Sequence, residues 1–181
     1  MIEARSVLVV GGARSGKSAY AQRLAEESAP ERLYLATGSA GDDEMALRIA
    51  RHQGERGAGW STREELLALA GALTREARSG RVVLVDCLTL WLSNCLFAGR
   101  DPANEIKRLR EALGALGGPV ILVSNEVGAG LVPETKLGRD FRDWQGRLNQ
   151  DAARACDAVV LVAAGLPTLL KPAPVLRIAL R

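Results

Sequence analysis

Apolar residues follow two alternating patterns along the chain. Short runs rich in β-branched residues indicate buried strands, and longer segments with apolar residues three or four positions apart indicate helices. The predicted strands are residues 7–10, 32–36, 82–85, 120–123 and 158–163. The predicted helices are residues 17–28, a segment through Met45, Ile49 and His52, and residues 63–78, 88–92, 102 to about 117, and 139–155.

Strands that alternate with helices of ten or more residues predict a mostly parallel sheet with helices on both faces. We expect loops at residues 94–100 and 125–133, and a short antiparallel strand in the tail from Pro167. In sheets of this kind, ligands bind beyond the carboxyl ends of the strands. The residues that directly follow the predicted strands are therefore the first candidates for a functional site.

The segment GGARSGKS, from Gly11 to Ser18, follows the first predicted strand and opens the first predicted helix. In this strand-to-helix context the pattern GxxxxGK[ST] predicts a phosphate-binding loop, because its backbone N–H groups form a nest at the positive end of a helix. Lys17 is expected to reach the outer phosphates of a nucleotide. The hydroxyl of Ser18 is expected to bind the Mg²⁺ ion that bridges them.

Three further residues could contribute chemistry. Asp86 ends an apolar strand, the position at which a second acidic residue would organise the magnesium ion. Glu126 follows another strand and is either a base or metal-organising group near the site or a surface charge. His52 offers a neutral imidazole that can act as a nucleophile, although a lone histidine is more often a residue at a helix end.

Composition narrows the class of protein. The chain has 181 residues, 48% of them hydrophobic and 25% charged, which predicts one globular domain over residues 1–181. A net charge of +3 with scattered basic residues gives no argument for a nucleic-acid partner. No apolar run is long enough for a membrane span and no signal-peptide layout is present, so a cytoplasmic protein is expected. The three cysteines form no metal-ligand spacing with His52 and are expected to be buried thiols.

Six blocks of sequence together resemble one family. They are GGARSGKS, LYLATG at residues 33–38, DDEMALRIARHQ at 42–53, VDCLTLWL at 85–92, SNEVGAGLVPE at 124–134 and FRDWQGRLNQ at 141–150. In this order they resemble the bifunctional adenosylcobinamide kinase and adenosylcobinamide-phosphate guanylyltransferase of cobalamin biosynthesis. The resemblance spans nearly the whole chain and implies the RecA-like fold of the P-loop NTPases.

The resemblance implies two consecutive reactions on a corrinoid. In the first, ATP or GTP phosphorylates the hydroxyl of the aminopropanol arm of adenosylcobinamide. In the second, GMP passes from GTP to the new phosphate through a guanylylated histidine, giving adenosylcobinamide-GDP and pyrophosphate. The position that matches this histidine is His52. The family is also described as a homotrimer.

The resemblance also implies a set of site residues. Catalysis is assigned to His52 and Lys17, and the metal to Ser18 and Asp86. Nucleotide contacts are assigned to Gly11, Gly12, Ala13, Arg14, Ser15, Gly16, Lys17, Ser18, Ala36, Thr37, Gly38, Gln53, Gly54, Glu55, Arg56, Glu64 and Asp86. One departure is Gly57, which stands where the family pattern has a proline.

Two alternative interpretations of the sequence remain open. One is a P-loop kinase for another small alcohol, in which His52 is structural. The other is a non-enzymatic nucleotide switch or a DNA-stimulated ATPase of similar topology, which the weak net charge disfavours.

The segment Leu88, Leu90, Trp91 and Leu92 could supply a subunit contact, but an apolar stripe of this kind is more often core.

Overall fold

The computed structural model describes residues 2–38 and 57–173. The strands are β1 (Ser6–Gly11), β2 (Glu31–Ala36), β3 (Trp60–Glu64), β4 (Arg81–Asp86), β5 (Val120–Asn125), β6 (Ala158–Ala163) and β7 (Leu166–Lys171). The helices are α1 (Lys17–Ser28), α2 (Leu69–Glu76), α3 (Leu88–Phe97), α4 (Pro102–Leu113) and α5 (Lys136–Ala155).

The strands form one seven-stranded sheet in the order β3-β2-β4-β5-β1-β6-β7. All neighbouring pairs are parallel except β6 and β7, which are antiparallel. This confirms the prediction of a mostly parallel sheet with a final antiparallel strand. The crossover connections carry helices because parallel neighbours cannot be joined by a tight turn.

The core has one layer on each face of the sheet. On what we call the α1 face, Ala21 and Ala25 of α1 pack with strand residues that include Val9, Leu84 and Val123. On the opposite face, α2 to α5 cover the sheet, and Trp91 and Leu148 are fully buried there. Runs of Val and Leu in the central strands are buried from both sides, which is why these strands are apolar rather than alternating.

The segment 88–97 is part of this core. Leu88, Trp91 and Leu92 are completely buried, and the indole N–H of Trp91 donates to the carbonyl of Leu67 at 3.1 Å. These side chains therefore stabilise the monomer, as the pattern favoured. Of the described helices, none is long and apolar enough to cross a membrane.

The predicted bounds of the helix at residues 63–78 are wrong. Residues 63–78 do not form one helix, because Arg63 and Glu64 extend β3 and pair with Leu35 and Ala36 of β2. The Glu65 carboxylate then accepts the N–H groups of Leu67 at 3.2 Å and Ala68 at 2.6 Å, and helix α2 begins only at Leu69. Sheet pairing has overridden helix propensity here.

The predicted loop at residues 94–100 is wrong in its first half, because α3 continues to Phe97. Asn94 is a polar residue with weak helix propensity, and it reads as a break in sequence. In the structure its amide donates to the carbonyls of Thr37 at 2.7 Å and Leu66 at 3.2 Å. Those tertiary hydrogen bonds satisfy the side chain inside the helix, and Cys95 next to it is buried.

The cysteine prediction is confirmed. Cys87, Cys95 and Cys156 are all free and buried. Burial is the main cause that raises the pKa of Cys87 and of Cys95 to about 11, and the pKa of Cys156 to about 12. All three thiols are therefore protonated at neutral pH and are poor nucleophiles.

Candidate functional site

The predicted phosphate loop lies between the carboxyl end of β1 and the first turn of α1. The carbonyl of Gly12 accepts the N–H of Ser15 at 3.3 Å and the ammonium of Lys17 at 3.1 Å, so the loop curls over the helix end. No side chain caps α1, and its first turn has no acidic residue. The N–H groups of that turn and the helix dipole therefore favour an anion at this point.

Two glycines of the loop are required by geometry. A β-carbon on Gly11 would lie 2.5 Å from both the Val162 carbonyl oxygen and the Ser15 hydroxyl oxygen. Gly16, the residue before α1, has φ +93°. This left-handed conformation is energetically unfavourable for residues that have a β-carbon. These two positions need glycine for packing and for conformation, respectively.

A hairpin from the end of the chain braces this loop. Gly165 lies in the two-residue turn between β6 and β7, and its N–H donates to the Ser15 carbonyl at 2.8 Å. A β-carbon on Gly16 would lie 3.1 Å from the α-carbon of Gly165, so the two backbones touch. Sequence reasoning missed this contact. The available signal was the glycine between two apolar runs, which identifies a turn but not what the turn contacts.

The strand ends form a row on the α1 face. Ala36 is in register with Glu64 on one side and Asp86 on the other. Asp86 lies two residues after Leu84, and Asn125 two residues after Val123, and both of those apolar residues pack on the α1 face. Because side chains two apart along a strand share a face, Asp86 and Asn125 point to the same side as α1. Sequence reasoning singled out Asp86 and gave no role to the Asn125 side chain.

The charges of Asp86 and of Lys17 in the phosphate loop both affect the pKa of one buried thiol. The pKa of the Cys87 thiol is raised mainly by burial, then by the negative charge of Asp86, while the positive charge of Lys17 opposes the rise. Both charges therefore act on one buried group. In the sheet, a single strand, β5, separates β4 from β1, with Asn125 in register with Gly11.

Thr37 is fully buried and its hydroxyl is already engaged. It accepts the N–H of Cys87 at 2.7 Å and donates to the Cys87 carbonyl at 2.6 Å. The Thr37 N–H also donates to the Asp86 carbonyl at 3.3 Å. Thr37 therefore ties the segment after β2 to the backbone of Asp86 and Cys87 at the end of β4. At Gly38 a β-carbon would lie 2.9 Å from Leu90, so this segment runs close against α3.

The other strand-end carboxylates are exposed. Glu64 ends β3 at the surface. The Glu126 backbone N–H donates to the Gly11 carbonyl at 3.0 Å, whereas its side chain accepts the Gly128 N–H at 3.0 Å within its own loop. The structure thus fixes the backbone of Glu126 to the phosphate loop and directs its carboxylate into the loop that follows β5.

A buried polar network holds the end of β5 on the opposite face. The Ser124 hydroxyl donates to the Asn149 side-chain oxygen at 2.6 Å and accepts the Gln145 amide at 2.9 Å. Asn149 also donates to the Asn125 carbonyl at 3.0 Å. These hydrogen bonds hold the backbone of Asn125 in place beside the phosphate loop.

His52, Gln53, Gly54, Glu55 and Arg56 lie outside the described residues. Within the described part, no group of three His, Cys, Asp or Glu side chains could hold a metal ion. The half-buried Ser18 hydroxyl and the partly buried Asp86 carboxylate offer oxygen donors on the α1 side. Oxygen donors in this number suit a Mg²⁺ ion that is completed by nucleotide phosphates and water.

Solved structures similar to this chain have the P-loop NTPase fold. An ATPase from the type III secretion system of pathogenic bacteria aligns with a TM-score of 0.60 and 12% identity over 91% of this chain and 56% of that chain. The P4 protein from bacteriophage phi6, solved in complex with ADP, aligns with a TM-score of 0.50 and 14% identity over 92% and 54%. The chain thus spans little more than half the length of these structures, and at such identities the likeness concerns the fold alone.

Sequence relatives are much nearer. The bifunctional adenosylcobalamin biosynthesis protein CobP of Pseudomonas aeruginosa is 52% identical over 170 residues, covering 92% of this chain and 98% of its own. CobU of Salmonella typhimurium, with the same description, is 41% identical over 91% and 99%. The family model described as cobinamide kinase / cobinamide phosphate guanyltransferase matches residues 7–170, and the chain therefore belongs to that family.

Proposed function

We propose that this chain is a bifunctional enzyme of cobalamin biosynthesis. It phosphorylates the aminopropanol hydroxyl of adenosylcobinamide with ATP or GTP, and then transfers GMP from GTP to adenosylcobinamide-phosphate. The observation that supports this most strongly is the family match over residues 7–170. This match covers all the described strands, apart from Ser6 at the start of β1 and Lys171 at the end of β7. The same match makes a kinase for an unrelated alcohol the weaker alternative.

In both reactions the phosphate loop would hold the triphosphate. The first-turn N–H groups of α1, Lys17 and Arg14 neutralise the phosphate oxygens, so that a nucleophile can approach phosphorus in line. Ser18 and Asp86 would hold Mg²⁺, which supplies further neutralisation of the same charge. We add Asn125 to the proposed nucleotide-facing residues, because its side chain shares the α1 face with Asp86.

The two reactions differ in the nucleophile. In the kinase reaction the substrate hydroxyl attacks the terminal phosphorus, and the nucleoside diphosphate leaves. In the guanylyl transfer the His52 imidazole attacks the α-phosphorus of GTP and pyrophosphate leaves, giving a phosphoramidate. The phosphate of adenosylcobinamide-phosphate then attacks the same phosphorus and releases His52. A covalent intermediate lets one site serve two acceptors in turn.

Labelling tests the proposal directly. Protein is mixed with Mg²⁺ and GTP radiolabelled at the α-phosphate, denatured, and assayed for bound label. We expect label that survives alkali and is released by acid, as a phosphohistidine-type bond is. Because His52 is the only histidine of the chain, His52→Ala should remove the label completely.

The kinase half provides the control. His52→Ala should still phosphorylate adenosylcobinamide, whereas Lys17→Ala should slow both reactions by about 10²–10³-fold through loss of phosphate neutralisation. Label that persists in His52→Ala would contradict the covalent route. Wild-type protein that binds GTP, phosphorylates an alcohol and never becomes labelled would favour the simple kinase.

The proposal extends to assembly and cellular location. We propose a homotrimer in the cytoplasm, with adenosylcobinamide as the corrinoid substrate. Exposed apolar side chains on the edge strand β7, Leu166, Leu169 and Leu170, support a subunit contact, because exposed apolar patches commonly mark interaction sites.

A further inference from the structure

A basic groove lies between α4 and α5, on the opposite face of the sheet from α1. Its volume is about 240 Å³. Lys107 and Arg110 of α4 line one wall, and Trp144, Arg147 and Arg154 of α5 line the other. The only acidic residue among the lining residues is Asp151. Four cationic side chains from two helices thus meet around one concave surface, and none of its lining residues belongs to the nucleotide site described above.

Two of these cations have their charge partly offset. The Arg154 guanidinium lies 3.2 Å from the Asp151 carboxylate, and the Lys107 ammonium lies 4.0 Å from Glu111. Arg110 and Arg147, one on each wall, have no carboxylate within ion-pair distance among the residues that the structure describes. Two cations around one groove repel each other, so an anion between them would be stabilised from both sides.

Arg147 is held in place by an aromatic ring. Its guanidinium carbon lies 4.7 Å from the centroid of the Trp144 ring, and Trp144 in turn packs against the core. A cation stacked on an indole loses less rotamer freedom when it binds a ligand. The ring is packed on the core and covered by the guanidinium, so the geometry favours binding of an anion over stacking of a nucleobase.

We propose that this groove is a binding site for a polyphosphate group, with Arg110 and Arg147 as its principal contacts. Guanidinium forks match phosphate oxygens in bidentate pairs, and two such forks suit an anion with two phosphate groups. A volume of about 240 Å³ accommodates a small anion rather than a folded partner. The ligand is either free pyrophosphate or the phosphate chain of a nucleotide. This site is separate from the phosphate loop and does not depend on the proposed reactions.

Calorimetric titration of pyrophosphate in the absence of Mg²⁺ tests the site. The titration uses the Lys17→Ala protein, in which the phosphate loop is weakened, so that the remaining binding reports the groove. We expect one site per chain, and at least tenfold weaker binding when Arg110→Ala or Arg147→Ala is added. Arg108→Ala is the matched control, because Arg108 is an exposed α4 arginine that pairs with Glu105 at 3.6 Å and does not line the groove. It should change the affinity less than twofold.

Parallel titrations identify the ligand chemistry. Tighter binding of GTP than of pyrophosphate, lost in Arg147→Ala, would support the site with a nucleotide as its source, and equal binding would support free pyrophosphate. Citrate that binds as tightly as pyrophosphate would overturn the assignment to phosphate. Absence of pyrophosphate binding in Lys17→Ala, or binding that Arg110→Ala and Arg147→Ala leave unchanged while thermal melts remain wild-type, would overturn the site itself.

Discussion

Ala164 has an unusual backbone for a residue with a β-carbon. It is the first residue of the two-residue turn between β6 and β7, with φ +50°, and Gly165 follows with φ +79°. Two positive φ angles match the hairpin turn that favours the pair Asn-Gly. Glycine adopts the second position without strain, whereas alanine at the first position pays a conformational penalty of about 1–2 kcal/mol.

Replacing Ala164 by asparagine should therefore stabilise the protein. Asparagine tolerates the left-handed region, so we expect Ala164→Asn to raise the free energy of unfolding by about 1 kcal/mol, and the melting temperature by about 2–4 °C for a chain of this size. Thermal and urea unfolding measure both quantities. The same exchange at Ala163, which lies within β6, is the control and should not stabilise. An equal gain from both exchanges would contradict the turn argument.

The site residues that sequence predicted are those with local signals. Gly16, Lys17 and Asp86 are recognisable because the loop pattern and the strand end are contiguous in sequence. The role of Thr37 was not predictable, because its hydroxyl binds Cys87, 50 positions away. Asn125 was a candidate only by its position after a predicted strand, because the face that its side chain shares is known only once Val123 is seen to pack on the α1 face.

Among the elements, helix α5 is capped at its carboxyl end by a residue from another element. Its carboxyl end carries no capping glycine, and Lys171 of β7 takes that role. The Lys171 ammonium donates to the carbonyls of Ala153 and Arg154, each at 3.0 Å, and to that of Cys156 at 2.5 Å. A cation at this end also interacts favourably with the helix dipole.

Removal of this cap should destabilise the protein. Lys171→Met keeps most of the side-chain length and removes the ammonium, leaving three carbonyls without that donor. We expect a loss of about 1–2 kcal/mol in the free energy of unfolding, seen as a lower urea midpoint with an unchanged slope. Lys136→Met is the matched control, since Lys136 is largely exposed and its pair with Asp140 is worth little. A comparable loss in both variants would show that the cap is not the cause.

Element prediction succeeded where pattern and packing agree. The bounds of α1 and β6 are those predicted, because an apolar face and clear end signals coincide there. The β3 strand was missed because its sequence WSTRE has few apolar residues and its pairing with β2 is not visible locally. The order of strands likewise depends on contacts between distant segments, and the alternating pattern alone specifies only that they are parallel.

At the scale of the whole molecule, Asp157 joins the two ends of the fold. Its carboxylate accepts the N–H of Arg5 at 2.8 Å and the N–H of Ser6 at 2.9 Å, across 152 and 151 positions. Burial acts to raise the pKa of Asp157, but these hydrogen bonds, that from the Ser6 hydroxyl and the charge of Lys171 outweigh it and leave the pKa below its ordinary value.

A lowered folded-state pKa gives a defined pH dependence. Because the unfolded carboxyl titrates near pH 3.9, the stabilisation from Asp157 is fully present above that pH and is lost as the pH falls through the lower folded-state value. In Asp157→Asn the stability should fall less steeply over this acidic range, and the protein should be somewhat less stable than wild type at pH 7. Urea unfolding between pH 2.5 and 7 measures the difference. Parallel curves for the two proteins would contradict the assignment.

The hydrogen bond from Gly165 to Ser15 limits how early in translation the phosphate loop can reach its folded structure. The phosphate loop leaves the ribosome before the turn that braces it, which follows about 150 residues later, on the order of 10–30 s at ordinary elongation rates. Until then Gly16 lacks its packing contact with Gly165. The growing chain therefore carries its phosphate loop without this hydrogen bond until the turn at Ala164 and Gly165 has been synthesised, and a nucleotide meets the braced loop only after that point.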